Sequence, residues 1–132
     1  RADFERIEAM EAEVWGEGGA THADDLELER AADPEQLRIV VAEAGNAVVS
    51  AGWIRFPSGT SFGTLWGGST VEAWRGRGIY RSLVAFRARL AAENGRSYLE
   101  VDASDDSRPI LERLGFRAIT TTTPYVWSTR FD

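Results

Sequence analysis

The chain of 132 residues contains no cysteine and no lysine. The first absence removes disulfides, thiolate metal sites and a thiol nucleophile together. The second makes all 15 basic residues arginine. It also excludes the Gly-Lys-Ser/Thr loop with which P-loop proteins cradle phosphates. Histidine occurs once, at His22, so neither a His-rich metal centre nor a Ser–His triad with a second base is expected. No apolar run approaches the roughly 20 residues that span a bilayer, and no signal-peptide pattern is present. Linkers, internal repeats and low-complexity segments are missing too, and this length is one domain's worth. The first residue is Arg1 rather than methionine.

What is present reads as a soluble globular domain, 43% hydrophobic and 27% charged, with a formal charge of −6. That charge disfavours a nucleic-acid partner and suits a cationic one. One stretch organises the chain. A strand pattern over 64–71 runs into Arg75-Gly76-Arg77-Gly78, and a helical face follows at Ile79, Leu83, Phe86 and Leu90. Glycines at a strand-to-helix turn let an anion approach unpaired backbone N–H groups, and Arg75 and Arg77 add charge beside it. The turn is expected to hold a pyrophosphate. A dinucleotide fingerprint would need a third glycine where Arg81 stands, although Glu100 and Asp102 lie at about the spacing of a ribose-binding acid. The other reading is an ordinary strand-to-helix turn.

Arg75-Gly76-Arg77-Gly78-Ile79-Tyr80 resembles the Arg/Gln-x-x-Gly-x-Gly/Ala signature of the GNAT superfamily of acyl-CoA-dependent N-acyltransferases. Downstream, Ser107-Arg108-Pro109-Ile110-Leu111-Glu112-Arg113-Leu114-Gly115-Phe116 resembles its second signature, a short helix ending in Leu-Gly-Phe. The resemblance covers about Ala42 to Trp127 in the family's element order. It implies an α/β, three-layer fold around a mixed sheet: an antiparallel N-terminal meander, then a parallel pair at the cofactor site. It also implies acetyl-CoA as co-substrate and a small, cationic amine as acceptor, in a cytoplasmic enzyme without membrane or nucleic-acid partners; a homodimer is allowed. Residues 1–132 are then a single domain. The strand that usually precedes the first helix is not found, and is either upstream or absent.

Along the chain, an amphipathic helix with Asp3 as N-cap carries Phe4, Ile7, Met10 and Val14, and Gly16 to Gly19 stop it. An acidic stretch follows with a short helix near Leu26 to Arg30, and Asp33-Pro34 opens one more turn. Arg38 to Ala44 and Ala47 to Phe56 are strands joined by Gly45-Asn46. A strand over 60–71 contains Gly67-Gly68, a bulge or a weakened strand end. The long helix runs to Asn94 with Gly95 as its stop. Tyr98 to Ala103 is a strand, Ser107 to Leu114 a helix, and Phe116 to Thr123 and Tyr125 to Trp127 are closing strands.

By the resemblance, the N–H groups of Arg77, Gly78, Ile79 and Tyr80 face the phosphates. Arg75, Gly76, Ser82 and Ser104 join the cofactor site, and Val71 offers backbone contacts to the pantetheine arm. The bulge splays two parallel strands. The family's tyrosine acid falls at Leu111, which cannot donate a proton; Tyr80, Ser104 and Ser107 are the remaining donors or water holders. Tyr98, Glu100 and Asp102 alternate with apolar residues on one strand face, making Glu100 and Asp102 candidate bases or solvated residues. His22 is read as a surface residue. Trp15, Trp53, Trp66 and Trp127 are core or the floor of an acceptor pocket. The leucine at 111 also favours an alternative, a CoA-binding or regulatory module with impaired catalysis.

Overall fold

The computed structural model describes residues 2–16, 23–127 and 129. They fall into two compact units, Arg1–Val101 and Asp102–Asp132. The first holds helix α1 (Ala2–Trp15), helix α2 (Ala23–Ala32), strands β1 (Leu37–Ala44), β2 (Ala47–Arg55) and β3 (Phe62–Thr70), helix α3 (Ile79–Glu93) and strand β4 (Tyr98–Val101). A short 3₁₀ turn, Glu72–Trp74, precedes α3. The strands form one sheet in the order β1-β2-β3-β4, antiparallel up to β3 and parallel between β3 and β4. The expected mixed sheet and its α/β layering are therefore present. No helix among the described residues is long and apolar enough to cross a membrane.

β2 explains the layering. Seven consecutive residues, Val48 to Ile54, are buried, the pattern of a strand covered on both faces. Val49 and Ala51 pack with Ile7 and Met10 of α1, and Trp53 packs with Leu26 of α2. On the opposite face, Gly52 meets Arg87 of α3, and Ile54 and Ala91 close over Gly63. Each apolar side chain of this size contributes about 1.5–3 kcal/mol when fully buried.

α1 begins at Ala2, so Asp3 sits in the first turn rather than capping it, where its charge still suits the helix dipole. Gly16 ends α1 at φ 83°, its N–H donating to Ala12 O at 2.8 Å. His22 and Glu17 to Gly19 lie outside the described residues. α2 is longer than expected because residues on either side of Leu26 to Arg30 continue it. α3 stops as expected: Gly95 takes φ 73° while Arg96 N–H donates back to Ala91 O at 2.9 Å. Its buried face differs from the predicted one. Leu83, Val84, Arg87 and Ala91 are buried, whereas Phe86 is 49% exposed. The sheet lies one residue round the helix from the expected stripe, which brings a charged residue into the core.

In the second unit, helix α4 (Arg108–Arg113) has Ser107 and Leu114 as caps, close to the predicted span. The expected closing strands are not formed: residues 116–127 have no strand, and Tyr125, Val126 and Ile119 are exposed. Thr120 to Thr123 carry strand propensity, but propensity alone does not make a strand without a ladder partner, and Pro124 removes a donor from the run.

Candidate active site

The site is built on an irregularity in β3. Ala51 pairs with Ser69 and Gly52 with Gly67, so Gly68 has no partner and bulges from the ladder. Gly67 and Gly68 adopt φ 72° and 90°, conformations that L side chains rarely take. Space forbids a side chain there as well. A Cβ on Gly67 would come within 2.7 Å of the Trp53 ring, and one on Gly68 within 2.9 Å of the Tyr80 ring. The expected bulge is thus present, and Gly67-Gly68 is no frayed end.

On its other edge, β3 pairs with β4 only from Phe62↔Tyr98 to Leu65↔Val101. β4 ends at Val101, so from Trp66 onward β3 has no ladder partner from β4 among the described residues. The bulge and the end of β4 both precede the turn into α3.

That turn is conformationally demanding. Gly76 and Gly78 take φ 75° and 79°, and a Cβ at either would meet no atom within 4 Å. The glycines answer to backbone conformation, and the space over them is open. Gly78 is the N-cap of α3, no side chain caps it, and the first helical bond runs from Ser82 N–H to Gly78 O at 3.0 Å. The preceding N–H groups of the first turn, Ile79 and Tyr80 included, have no intrahelical partner. Ser82 is exposed beside them. The two arginines are partly engaged: Arg75 Nε donates to Thr70 O at 2.9 Å, and the Arg77 guanidinium lies 4.5 Å from the Trp74 ring centroid. Val71 is buried, donating to Val49 O and accepting from Trp74 N–H. Only the second lone pair of its carbonyl remains for a ligand.

Thr64 is the register partner of both Arg55 and Glu100, placing these residues on one face of the sheet with Trp66, whose indole donates to Thr64 Oγ1 at 2.8 Å. The Arg55 guanidinium lies over the Trp66 ring and forms a two-point bond to Glu29 of α2, at 2.6 and 2.9 Å. That bond holds the Glu29 carboxyl below its ordinary pKa, against a smaller opposing effect of burial. Glu100 is half-buried on this face; β4 ends before Asp102, which is exposed in the second unit, so the alternation expected to unite the two acids stops at Val101.

Ser104 and Ser107 also belong to the second unit. Each hydroxyl accepts from the other's backbone N–H, at 3.0 and 3.2 Å, forming the turn that starts α4. Leu111 is buried, with 2% of its surface exposed. Of the tryptophans, only Trp53 is core; Trp15 is largely exposed, its indole donating to Ser69 Oγ next to the bulge at 2.9 Å. Trp66 and Trp127 are exposed.

One residue escaped the sequence reading. Arg87 is 2% exposed beneath the bulge, donating from Nη1 to Trp53 O and Trp66 O and from Nε to Leu83 O. Burial pulls its pKa down, while the neighbouring Tyr80 acts the other way. Its spacing four residues after Leu83 and four before Ala91 was the available signal.

The family model for an acetyltransferase (GNAT) domain matches residues 10–126. Among solved structures, a transcriptional regulator from Bacillus halodurans superposes with a TM-score of 0.81 at 22% identity, covering 96% of this chain and 95% of that one. Glucosamine-6-phosphate N-acetyltransferase from Arabidopsis thaliana gives 0.78 at 14% identity, covering 97% and 95%. A predicted acetyltransferase with acetyl-CoA from Clostridium acetobutylicum gives 0.69 at 19%, covering 92% and 84%. No curated protein matches the sequence at a significant level.

Proposed function

Because the chain belongs to the GNAT acetyltransferase family, we propose that it transfers the acetyl group of acetyl-CoA to the amine of a small, cationic acceptor. The observation that carries this reading is the bulged β3, which β4 does not accompany past Leu65, leading into the uncapped N-terminus of α3. Open space over Gly76 and Gly78 fits a pyrophosphate approaching backbone N–H groups. Arg77, Gly78, Ile79 and Tyr80 supply those donors. The Ser82 hydroxyl and the Arg75 and Arg77 charges stand beside them, and the Val71 carbonyl is left for the pantetheine arm. The similar fold solved with acetyl-CoA supports the choice of donor.

The acceptor amine must lose a proton to be nucleophilic. Glu100 is the favoured base, since it is half-buried on the face that carries Trp66 and Arg55. Asp102 is exposed and ranks behind it as a base, while the Ser104 and Ser107 hydroxyls, candidate proton donors or water holders, are engaged in their turn. A small amine is supported by the fold shared with a glucosamine-6-phosphate N-acetyltransferase, and a cation by the charge of −6. The enzyme is taken as cytoplasmic. A second reading, a CoA-binding module with weakened catalysis, is favoured by the buried leucine at 111.

Thermal unfolding with acetyl-CoA tests the first step. At about a hundred times its Kd the ligand stabilises by about 2.7 kcal/mol, or on the order of 10 °C for this size. NAD and ATP are expected to do much less. A response to NAD without one to acetyl-CoA overturns the reading. Transfer to a panel of small amines, followed by thiol release, then separates the enzyme from the module.

A further inference from the structure

A buried guanidinium with no carboxylate beside it is costly unless its charge is used. Arg87 satisfies three of its N–H groups on backbone carbonyls of α3, β2 and β3. Those carbonyls hold the guanidinium in place, and among the described residues no carboxylate pairs with it. A Cβ built on Gly68 would lie 2.9 Å from Tyr80 Cε2 and 3.9 Å from Arg87 Nη2, so phenol ring and guanidinium both face the bulge. Among the described residues the Tyr80 hydroxyl makes no hydrogen bond. Gly52 faces the guanidinium and Gly68 faces both side chains, and neither glycine brings a charge. The charge of Arg87 acts on the Tyr80 phenol: burial pushes the phenol up overall, and Arg87 opposes part of that rise.

We propose that Arg87 is a positioning residue for proton transfer, its buried charge holding the Tyr80 hydroxyl at the bulge as the donor to the departing thiolate. The proposal rests on the acetyl-transfer reading. The acceptor nitrogen bonds to the thioester carbonyl carbon with its lone pair. The adduct collapses, the C–S bond breaks, and its electron pair stays on sulfur. Sulfur takes the phenolic proton, and the phenolate recovers one, through solvent, from the nitrogen that has become an amide. An ordinary phenol has a pKa of about 10 and an ordinary thiol about 8.5, so this transfer runs uphill unaided. Burial raises the Tyr80 phenol further, and a cation fixed beside the phenolate offsets part of that rise without reorganising.

The test uses Tyr80→Phe, Arg87→Gln, Arg87→Lys and both doubles, each checked for melting temperature and acetyl-CoA binding. Glutamine and lysine both keep a donor for the strand carbonyls, and lysine also keeps the charge. Turnover is read as CoA release from acetyl-CoA. Tyr80→Phe should lower kcat by about 10²-fold, typical of a general acid, with binding within severalfold. Arg87→Gln should lower kcat tenfold or more when Tyr80 is present and little when it is phenylalanine, and the Lys variant should lose less. In 3-fluorotyrosine-labelled protein, fluorine NMR should show the Tyr80 phenol ionising at higher pH in Arg87→Gln and near the wild-type pH in Arg87→Lys. Equal losses from either Arg87 variant with and without the Tyr80 hydroxyl, or a phenol titration that ignores Arg87→Gln, would reduce Arg87 to a strap for the strands and overturn the proposal. Wild type that fails to bind acetyl-CoA would instead refute the family-based reading.

Discussion

A Cβ on Gly78 meets nothing, yet valine there should be harmful for two reasons. The residue sits at φ 79°, where a β-branched side chain is strained, and it opens the helix whose N–H groups are proposed to hold the pyrophosphate. Gly78→Val should therefore cost about 1–3 kcal/mol of stability and also weaken acetyl-CoA binding strongly. Gly59 has a similar φ of 73° with equally open surroundings in a turn outside the site. Gly59→Val should show the stability loss alone, and urea unfolding with acetyl-CoA titration of both proteins separates strain from site. These glycines were legible in the sequence because the strand and helix periods change across them. Arg87 was not: a charge within a helix is usually given to water, and reading Phe86 as core hid the true stripe. Glu29 adds a pH dependence. Its pKa is depressed by Arg55, so its contribution is present above the unfolded value of about 4.3 and is lost as pH falls through the folded value. The side chain is 41% exposed, so the effect should be no more than about 1 kcal/mol after solvent screening. Glu29→Gln should flatten stability against pH below about 5, the difference from wild type shrinking as pH falls through the folded value.

At the scale of elements, the bulge was legible because two adjacent glycines have no packing reason inside a strand. Its depth was not, since Trp53 lies 14 residues from Gly67 in the chain and only the β2–β3 register brings them together. Gly67→Ala should cost about 2–3 kcal/mol, more than φ alone would give, because the methyl overlaps the indole. A loss below 1 kcal/mol by urea unfolding would mean that the strand moves easily. The closing strands failed for a different reason. Alternation and threonine content record what a segment can do, whereas a strand also needs an edge to pair with. Since Ile119 and Val126 are exposed in unpaired backbone, Ile119→Ser and Val126→Ser should leave the melting temperature nearly unchanged, within about 0.5 kcal/mol. Large losses would show that those side chains are buried in solution.

At the scale of the whole molecule, the 21 acidic residues outnumber the 15 arginines, yet the proposed phosphate turn is locally basic. Arg75→Ala and Arg77→Ala should each weaken acetyl-CoA binding moderately and reduce its salt dependence, since exposed charges are screened over about 10 Å at 0.1 M salt. An unchanged salt slope would remove the arginines from the phosphate site. The missing lysines now bear on the chemistry. Every cationic side chain here is a guanidinium, spread over carbonyls at Arg87 and Arg96 and over an indole at Arg77. Guanidinium stays protonated at all working pH values and offers no lone pair to a thioester. An enzyme that carries an activated acetyl group is exposed to acetylating itself, usually on a lysine ε-amine. These 132 residues present no such amine, so prolonged incubation with acetyl-CoA should leave every side-chain nitrogen unmodified by mass spectrometry.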